Sequence, residues 1–267
     1  MLEVLFVGCG KMGGAILKNL KNSQQFKDEQ IKLSVIDPSS FIARSPNVAY
    51  YKDAEELPEN YLANLVILAI KPQDCQEVLS KIVKKSNFFD SSTLFFSIIA
   101  GKKVSFYEEI LPQESKIVRS MPNLPVAIGC GVLAYFCNKN VTENDLRQNQ
   151  FLLDSFIYSL RVSQENLLDD ITAVSGSSPA YLFLFVEKLI DAAISLGLDS
   201  GDAENLVKYS IFGAAKMTLD ADPCTLRKNV TSKAGTTAAA LEVFEASEFS
   251  RIVKRAVIAA KNRSKKL

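Results

Sequence analysis

A glycine-rich turn stands at the start of the chain. Residues Gly8-Cys9-Gly10-Lys11-Met12-Gly13 follow the pattern G-x-G-x-x-G, directly after an apolar run at 2–7 and before a helical pattern at 12–20. In a strand–turn–helix unit the first glycine makes the tight turn, the second lets a pyrophosphate approach the backbone, and the third lets helix and strand pack closely. A purely structural turn is the alternative. The position between strand and helix favours a phosphate-binding turn.

The first half of the chain alternates strand and helix patterns. Further apolar runs of strand length lie at 33–37, 65–70, 93–99, 117–121 and 132–136, and a helical pattern such as 73–83 lies between some of them. The runs are almost continuously apolar, as expected of strands that are buried on both faces. The pattern predicts an α/β fold with an N-terminal Rossmann-type, doubly wound sheet.

After residue 163 the pattern becomes helical. One long helix is predicted over 170–198, apolar nearly all round from 181 to 194, followed by helices at 201–219, 236–245 and 250–261. A helix that is apolar on all sides must be covered on all sides, which predicts burial by a partner subunit. We therefore expect a dinucleotide-binding domain at 1–163 and an all-helical C-terminal dimerisation domain at 164–267. The basic end, 261–266, is predicted to be a solvated, frayed helix end.

Composition excludes several kinds of chemistry. The chain contains no histidine, which rules out Ser-His-Asp and Cys-His nucleophiles and histidine-ligated metal sites. Its 31 basic and 30 acidic residues create no field that would attract nucleic acid or a membrane surface. No uncharged apolar run reaches the length of a membrane span. Five scattered cysteines without a CxxC pair predict a reducing, cytoplasmic location and no metal cage.

The end of the second strand bears on the choice of dinucleotide. Asp37 follows Gly13 by 24 residues, where an acid usually binds the ribose 2′-hydroxyl of the adenosine and disfavours a 2′-phosphate. However, Ser39, Ser40 and Arg44 follow closely and could accommodate that phosphate. Turn chemistry explains residues 37–40 equally well. The cofactor is predicted to be NADPH or NADH, with the choice left open.

Two other strand ends should border the same dinucleotide, because ligands bind at the carboxyl edge of such sheets. The predicted contacts there are Ala69, Ile70, Lys71, Pro72, Ile98, Ile99 and Ala100.

Two motifs in the second half open helices. Ser175-Gly176-Ser177-Ser178-Pro179-Ala180 precedes a long apolar stretch, and a simple N-terminal cap would explain it. Thr231-Ser232-Lys233-Ala234-Gly235-Thr236-Thr237 combines hydroxyl groups with a glycine. A turn of this kind presents several backbone N–H groups and can bind a carboxylate.

The loop and helix at 230–245 resemble the signature of pyrroline-5-carboxylate reductases, usually Ser-Pro-Gly-Gly-Thr-Thr before an Ala-rich helix. The segments 8–13, 69–72, 121–123 and 172–181 also match that family in order and spacing, so the resemblance covers essentially the whole chain. Three residues depart from the family pattern. Lys233 replaces proline, Ala234 replaces the first glycine of the pair, and Ser178 replaces the second glycine of Ser-Gly-Ser-Gly-Pro.

The resemblance implies hydride transfer from NAD(P)H to the C=N bond of 1-pyrroline-5-carboxylate, which gives L-proline. It assigns the Thr237 hydroxyl to the ring nitrogen of this small-molecule substrate, with Ser232, Gly235 and Thr236 holding the carboxylate at the helix start. It also implies a homodimer, with dimers able to associate further.

Two other functions stay open from the sequence. A related imine reductase or β-hydroxyacid dehydrogenase would have the same architecture, and Lys188 or Lys208 would be its candidate catalytic lysine. A nucleotide-binding protein without catalytic activity is the second alternative, suggested by the departures at Ser178, Lys233 and Ala234.

Overall fold

The computed structural model describes residues 1–39, 45–85 and 88–266. Contacts divide the chain into two compact units, Met1–Ser177 together with Ala260–Leu267, and Ser178–Ala259. The domain boundary at residue 163 stays a prediction.

The described part of the first unit contains one sheet of eight strands. The strands are β1 Leu2–Val7, β2 Ile31–Ile36, β3 Val48–Tyr51, β4 Leu65–Leu68, β5 Leu94–Ser97, β6 Lys116–Pro122, β7 Val132–Cys137 and β8 Tyr158–Arg161. They lie in the order β3-β2-β1-β4-β5-β6-β7-β8, and β1 to β6 all run parallel. Strand β7 is antiparallel to β6, and β8 is parallel to β7. The predicted doubly wound sheet is confirmed, because its first six strands have the order 3-2-1-4-5-6 of dinucleotide-binding folds.

The central strands are buried on both faces, which explains their continuous apolar sequence. In β1, Val4 and Phe6 belong to the core on one face, and Leu5 and Val7 to the core on the other. Neighbouring residues of a strand point to opposite faces, so both faces must carry apolar side chains. The two strands that the sequence did not predict, β3 and β8, lie at the edges of the sheet. Both are more exposed than the central strands. Strand β3 is an apolar run of only four residues, and β8, Tyr-Ser-Leu-Arg, contains no apolar run.

Helices cover both faces of this sheet. Those of the first unit are α1 Lys11–Asn22, α2 Gln24–Lys27, α3 Cys75–Lys84, α4 Val104–Glu108, α5 Glu143–Gln148, α6 Gln150–Leu153 and α7 Leu167–Ile171. Helix α1 buries Ile16 and Leu20 in the first core, whereas α3 buries Leu79 and Ile82 in the second. Helix α1 is therefore fixed to the sheet directly after the glycine-rich turn.

The prediction of a single helix over 170–198 is wrong. Helix α7 is followed by a π-helical turn, Thr172–Gly176, and then by α8, Ser178–Ser195. Pro179 explains the break, because proline has no N–H to donate to the carbonyl of Ser175, four residues earlier. The later helices are α9 Ser200–Met217, α10 Pro223–Asn229, α11 Thr236–Ala246 and α12 Phe249–Ser264. Within the described ranges, no helix is long and apolar enough to cross a membrane.

The basic chain end is anchored, contrary to the prediction of a frayed helix end. Ser264 is buried, and its hydroxyl lies 3.3 Å from Oδ1 of Asp169 in α7. Lys261 forms an ion pair of 2.6 Å with Asp170. Sequence pattern missed these contacts because their acidic partners lie about ninety residues earlier in the chain.

A buried arginine connects this anchor to the sheet. Arg119 of β6 is only 3% exposed and donates to Glu165 at 2.9 Å and to Asp169 at 3.3 Å. Glu165 also accepts the backbone N–H of Val104 at the start of α4. One cation thus holds together β6, α4, α7 and, through Ser264, the end of α12.

We predict that Arg119→Met lowers the free energy of unfolding by about 3–5 kcal/mol, because it removes one partner of a buried ion pair and leaves two carboxylates uncompensated. Arg161→Met is the matched control, since Arg161 pairs with Glu143 at the exposed surface. The control should cost less than about 1 kcal/mol. Urea unfolding of the two variants measures both values, and equal losses would contradict this view of the network.

Candidate active site

The glycine-rich turn brings α1 into close contact with β4 and the residues after it. Gly8 has a left-handed φ of 82°, and a Cβ there would lie 2.7 Å from Cγ2 of Ile70 and 2.8 Å from the Ala69 carbonyl oxygen. A Cβ at Gly13 would lie 2.8 Å from Cβ of Ala69. Gly10 is different, because no atom lies within 4 Å of its Cβ position. Gly8 and Gly13 therefore allow close packing, whereas Gly10 leaves the backbone open to a ligand.

This turn ends in a set of unpaired donors. Helix α1 begins after Gly10, which provides no side-chain cap. Within residues 1–39, 45–85 and 88–266, no acceptor is seen for the backbone N–H groups of Gly10, Lys11, Met12 and Gly13, whereas Gly14 donates to the Gly10 carbonyl. Four free N–H groups at the positive end of a twelve-residue helix suit a phosphate group. The turn fits the predicted dinucleotide.

Asp37 fixes the turn from the end of β2. Its Oδ2 accepts the Cys9 N–H at 2.7 Å, and its Oδ1 accepts the Ser39 N–H at 2.8 Å. The turn chemistry considered for this segment is therefore present, while the contact of Asp37 with a ribose stays a prediction. Ser40 and Arg44, considered for a 2′-phosphate, lie outside the described residues.

The Cys9 side chain is buried beneath the turn. Burial raises the pKa of the Cys9 thiol to about 11, and the nearby Asp37 carboxylate adds to the increase. The thiol is therefore neutral near pH 7 and places no negative charge beside a bound phosphate. The same neutrality makes Cys9 a poor nucleophile.

The residues after β4 and β5 lie at the same edge of the sheet. Ala69 donates to the Val7 carbonyl at 2.8 Å, and Ile98 donates to the Leu68 carbonyl at 3.1 Å. The predicted segment 69–72 thus begins next to the glycine-rich turn, and segment 98–100 begins next to 69–72 along the same edge. Ile99 is almost fully buried in the core, so its contact with a dinucleotide stays a prediction.

Ser97 supports the second of these segments. Its hydroxyl lies 2.6 Å from the buried Tyr107 hydroxyl and accepts the Ile99 N–H at 3.2 Å, and its carbonyl accepts the Ser120 hydroxyl at 2.8 Å. Sequence reasoning did not single out Ser97, Ser120 or Tyr107. Ser97 and Ser120 are small polar residues within buried strands, whereas Tyr107 lies in α4, where sequence pattern offers no such signal.

The remaining predicted site residues lie in the second unit, in the turn before α11. Gly235 precedes the helix, and its N–H donates to the Ser232 carbonyl at 3.1 Å. A Cβ at Gly235 would lie 2.4 Å from the Ser232 hydroxyl oxygen, which explains the glycine. No side chain caps α11, and no acceptor for the N–H groups of Thr236 and Thr237 is seen in the described chain. The turn can therefore receive an anion.

Ala234 departs from the family pattern at a strained position. Its φ is +58°, in the left-handed region where glycine is favoured. An alanine in this conformation costs roughly 1–2 kcal/mol relative to the right-handed region. The turn keeps its shape despite the substitution, and the reason for glycine in the family is evident.

We predict that Gly10→Val abolishes tight dinucleotide binding and leaves the fold intact. Valine would occupy the space that a pyrophosphate needs, but it would meet no protein atom within 4 Å at Cβ. The Kd of NADH and of NADPH should each rise at least about 100-fold, equivalent to two hydrogen bonds to a charged group at roughly 1.5 kcal/mol each. Gly14→Ala is the control, since its Cβ makes only ordinary contacts of 3.6 Å or more. Unchanged fluorescence titrations for Gly10→Val would mean that the dinucleotide does not bind at this turn.

Two family models match the chain. One, described as pyrroline-5-carboxylate reductase dimerisation, matches residues 165–267, and one described as NADP oxidoreductase coenzyme F420-dependent matches residues 3–92. The pyrroline-5-carboxylate reductase of Haemophilus influenzae is 37% identical to the chain over 271 residues, which cover 99% of this chain and 97% of the relative.

Solved structures of similar proteins agree with this likeness. The pyrroline carboxylate reductase of Plasmodium falciparum, solved with NADP bound, is 33% identical with a TM-score of 0.85, covering 99% of this chain and 97% of the other. The pyrroline-5-carboxylate reductase of Coxiella burnetii is 30% identical with a TM-score of 0.84, covering 98% and 97%. With this likeness along nearly its whole length, the chain belongs to the pyrroline-5-carboxylate reductase family.

Proposed function

We propose that the chain is an NADPH- or NADH-dependent pyrroline-5-carboxylate reductase, which reduces the C=N bond of 1-pyrroline-5-carboxylate and produces L-proline in proline biosynthesis. The observation that carries the proposal is its identity of 37% with such a reductase over 99% of the chain. The open phosphate-binding turn at Gly10 agrees with it.

The first unit supplies the dinucleotide site. The free N–H groups of Gly10, Lys11, Met12 and Gly13 would hold the pyrophosphate, and Asp37 keeps the turn in shape through Cys9. The segments 69–72 and 98–100 would border the dinucleotide along the sheet edge. When bound, the reduced nicotinamide supplies the hydride for the imine carbon.

We assign the substrate to the turn before α11. Its free N–H groups at Thr236 and Thr237, together with Ser232 and Gly235, would hold the substrate carboxylate. The Thr237 side chain is half-buried, and we assign its hydroxyl to the ring nitrogen. A protonated imine loses its positive charge when hydride arrives, so no histidine or other strong acid is required.

The alternative enzyme with a catalytic lysine is not favoured. Lys188 is exposed and ion-paired with Glu187 and Asp191, and these hydrogen bonds and charges raise its pKa. Lys208 is likewise exposed and paired with Glu204. A lysine that stays protonated on an exposed helix face is a poor general base.

We propose that 164–267 forms a homodimer, which can associate further, and that the protein acts in the cytoplasm. Helix α8 carries seven large apolar residues at least 37% exposed in the single chain, namely Tyr181, Leu182, Phe183, Leu184, Phe185, Leu189 and Ile194. So large an apolar surface indicates a protein interface. The match of 165–267 to a dimerisation model supports a homo-oligomer. Five free thiols support a reducing compartment.

The function is tested by following the absorbance of NADPH and NADH with 1-pyrroline-5-carboxylate and measuring L-proline. We expect oxidation of the dinucleotide with equimolar proline. Dinucleotide binding without any oxidation would instead support a nucleotide-binding protein that lacks catalysis. Reduction of NAD(P)⁺ by a β-hydroxyacid, with no proline formed, would favour the dehydrogenase.

Thr237→Val should lower kcat/KM about ten- to a hundredfold, because one hydrogen bond to a charged group is worth roughly 1.5–3 kcal/mol. The Kd of NADPH should stay nearly constant, since the turn is assigned to the substrate. Thr218→Val is the matched control, because that hydroxyl bonds only to the Ala215 carbonyl at the end of α9. If Thr237→Val retained full activity, the threonine would be a helix-start residue without a catalytic role.

Dimer formation should depend on the apolar surface of α8. Leu184→Asp, at a residue 57% exposed in the single chain, should produce monomers or aggregates in light scattering at micromolar concentration. Leu62→Asp makes the same change on the first unit, at a residue 41% exposed, and should leave the dimer intact. A stable wild-type monomer would refute the proposed interface.

A further inference from the structure

The π-helical turn Thr172–Gly176 is an uncommon element at an informative position. The Ser177 N–H donates to the Thr172 carbonyl at 2.9 Å, five residues earlier, and the Thr172 hydroxyl donates to the Leu168 carbonyl at 2.6 Å. Such turns interrupt helices and are frequent at functional sites. The family motif at 172–181 includes this turn, but neither the dinucleotide nor the substrate assignment uses it.

Asn123 holds the turn at the end of β6. Its side chain is buried, its Oδ1 accepts the Val132 N–H at 2.7 Å, and its Nδ2 donates to the Ser175 carbonyl at 3.3 Å. The carbonyl of Ser175 is the one to which Pro179 cannot donate. The side-chain amide of Asn123 thus supplies a donor to a carbonyl that Pro179 cannot serve. Met121 packs beside it, with its sulfur 3.7 Å from the Cβ position of Gly176.

The position of β6 in the sheet indicates which part of the dinucleotide would lie beside the π-helical turn. In a sheet with the order 3-2-1-4-5-6, the first half binds the adenosine part of the dinucleotide, and the half formed by β4, β5 and β6 binds the nicotinamide part. The glycine-rich turn and Asp37 belong to the first half. Asn123 follows β6 in the second half, and the Ser120 hydroxyl connects β6 to the Ser97 carbonyl at the end of β5. The π-helical turn is therefore held at the nicotinamide end of the sheet edge.

We propose that Asn123 is a positioning residue for hydride transfer. By fixing the π-helical turn against the end of β6, its side-chain amide holds the backbone beside the nicotinamide, and so sets the position of the ring for hydride transfer. The proposal rests on the proposed function. Displacing reacting groups by about 1 Å can cost on the order of 100-fold in rate.

Asn138, which follows β7 and lies beside the amino end of β6, offers a control. Asn138 is equally buried, its Oδ1 accepts the Ile117 N–H at 3.1 Å, and its Nδ2 donates to the Ser115 carbonyl at 3.0 Å. Asn138 makes the same two kinds of hydrogen bond as Asn123, and its Nδ2 also donates to Oε1 of Glu108 at 3.2 Å. It lies beside the amino end of β6, away from the predicted ligand edge. A merely structural role would make each substitution lower kcat only as far as it lowers Tm.

The experiment compares Asn123→Asp with Asn138→Asp. Each substitution keeps the accepting oxygen and replaces the donating nitrogen by an oxygen that repels a carbonyl. Asn138→Asp should lose at least as much Tm as Asn123→Asp, because its new oxygen also faces the Glu108 carboxylate. Only Asn123→Asp should lower kcat, by about 10- to 100-fold, with a much smaller change in the Kd of NADPH. It should also raise the deuterium isotope effect measured with NADPH labelled at the transferred hydrogen, because hydride transfer becomes slower than product release.

An unchanged kcat for Asn123→Asp, or losses of kcat that follow Tm equally in both variants, would overturn the proposal. If the aspartate variant fails to fold, Asn123→Ser and Asn138→Ser remove the donors without burying a charge and are judged by the same criteria. Failure of the wild-type protein to reduce 1-pyrroline-5-carboxylate would refute the proposed function instead, so the two failures are distinguishable.

Discussion

The close approach of the glycine-rich turn to residues 69 and 70, directly after β4, is the constraint on which the site depends. Gly8 and Gly13 allow it, because a side chain at either position would overlap Ala69 or Ile70. This packing directs the amino end of α1 toward the carboxyl edge of the sheet, where the segments after β4 and β5 also end. Without it, the free N–H groups of the first helical turn would not face the edge at which a dinucleotide binds.

Charges around that turn are arranged so that an anion is tolerated. The Asp37 carboxylate accepts hydrogen bonds from two backbone N–H groups, those of Cys9 and Ser39, which compensate its charge. Burial keeps the Cys9 thiol protonated, since its pKa is about 11. Four further N–H groups remain without a protein acceptor in the described residues. The same principle recurs at α11, where an uncapped helix start follows a turn shaped by Gly235.

Local pattern was sufficient to predict the centre of the sheet and the position of the glycine-rich turn. Continuous apolar runs identified the buried strands, and the spacing of three glycines identified the turn, because both are determined within a few residues. Strand β8 was missed because none of its residues is buried and its sequence has no continuous apolar run. The helix-start motif at 175–180 and Pro179 mark the start of α8 locally, but the π-helical form of the preceding turn was not predicted, because Asn123, about fifty residues earlier, holds it. Ser97 and Tyr107 were missed for a similar reason, since a polar pair in a core is defined by its partner.

The first compact unit is not continuous in sequence, because it includes residues 260–267 as well as 1–177. A ribosome synthesises the chain from its amino end, so the sheet can form long before Ser264 has been made. Until then Asp169 and Arg119 lack the hydroxyl that completes their network, and Asp170 lacks Lys261. This network of the first unit is therefore incomplete while the apolar helices of the second unit are being synthesised. Closure of the network by the last helix is a late event in the biogenesis of this protein.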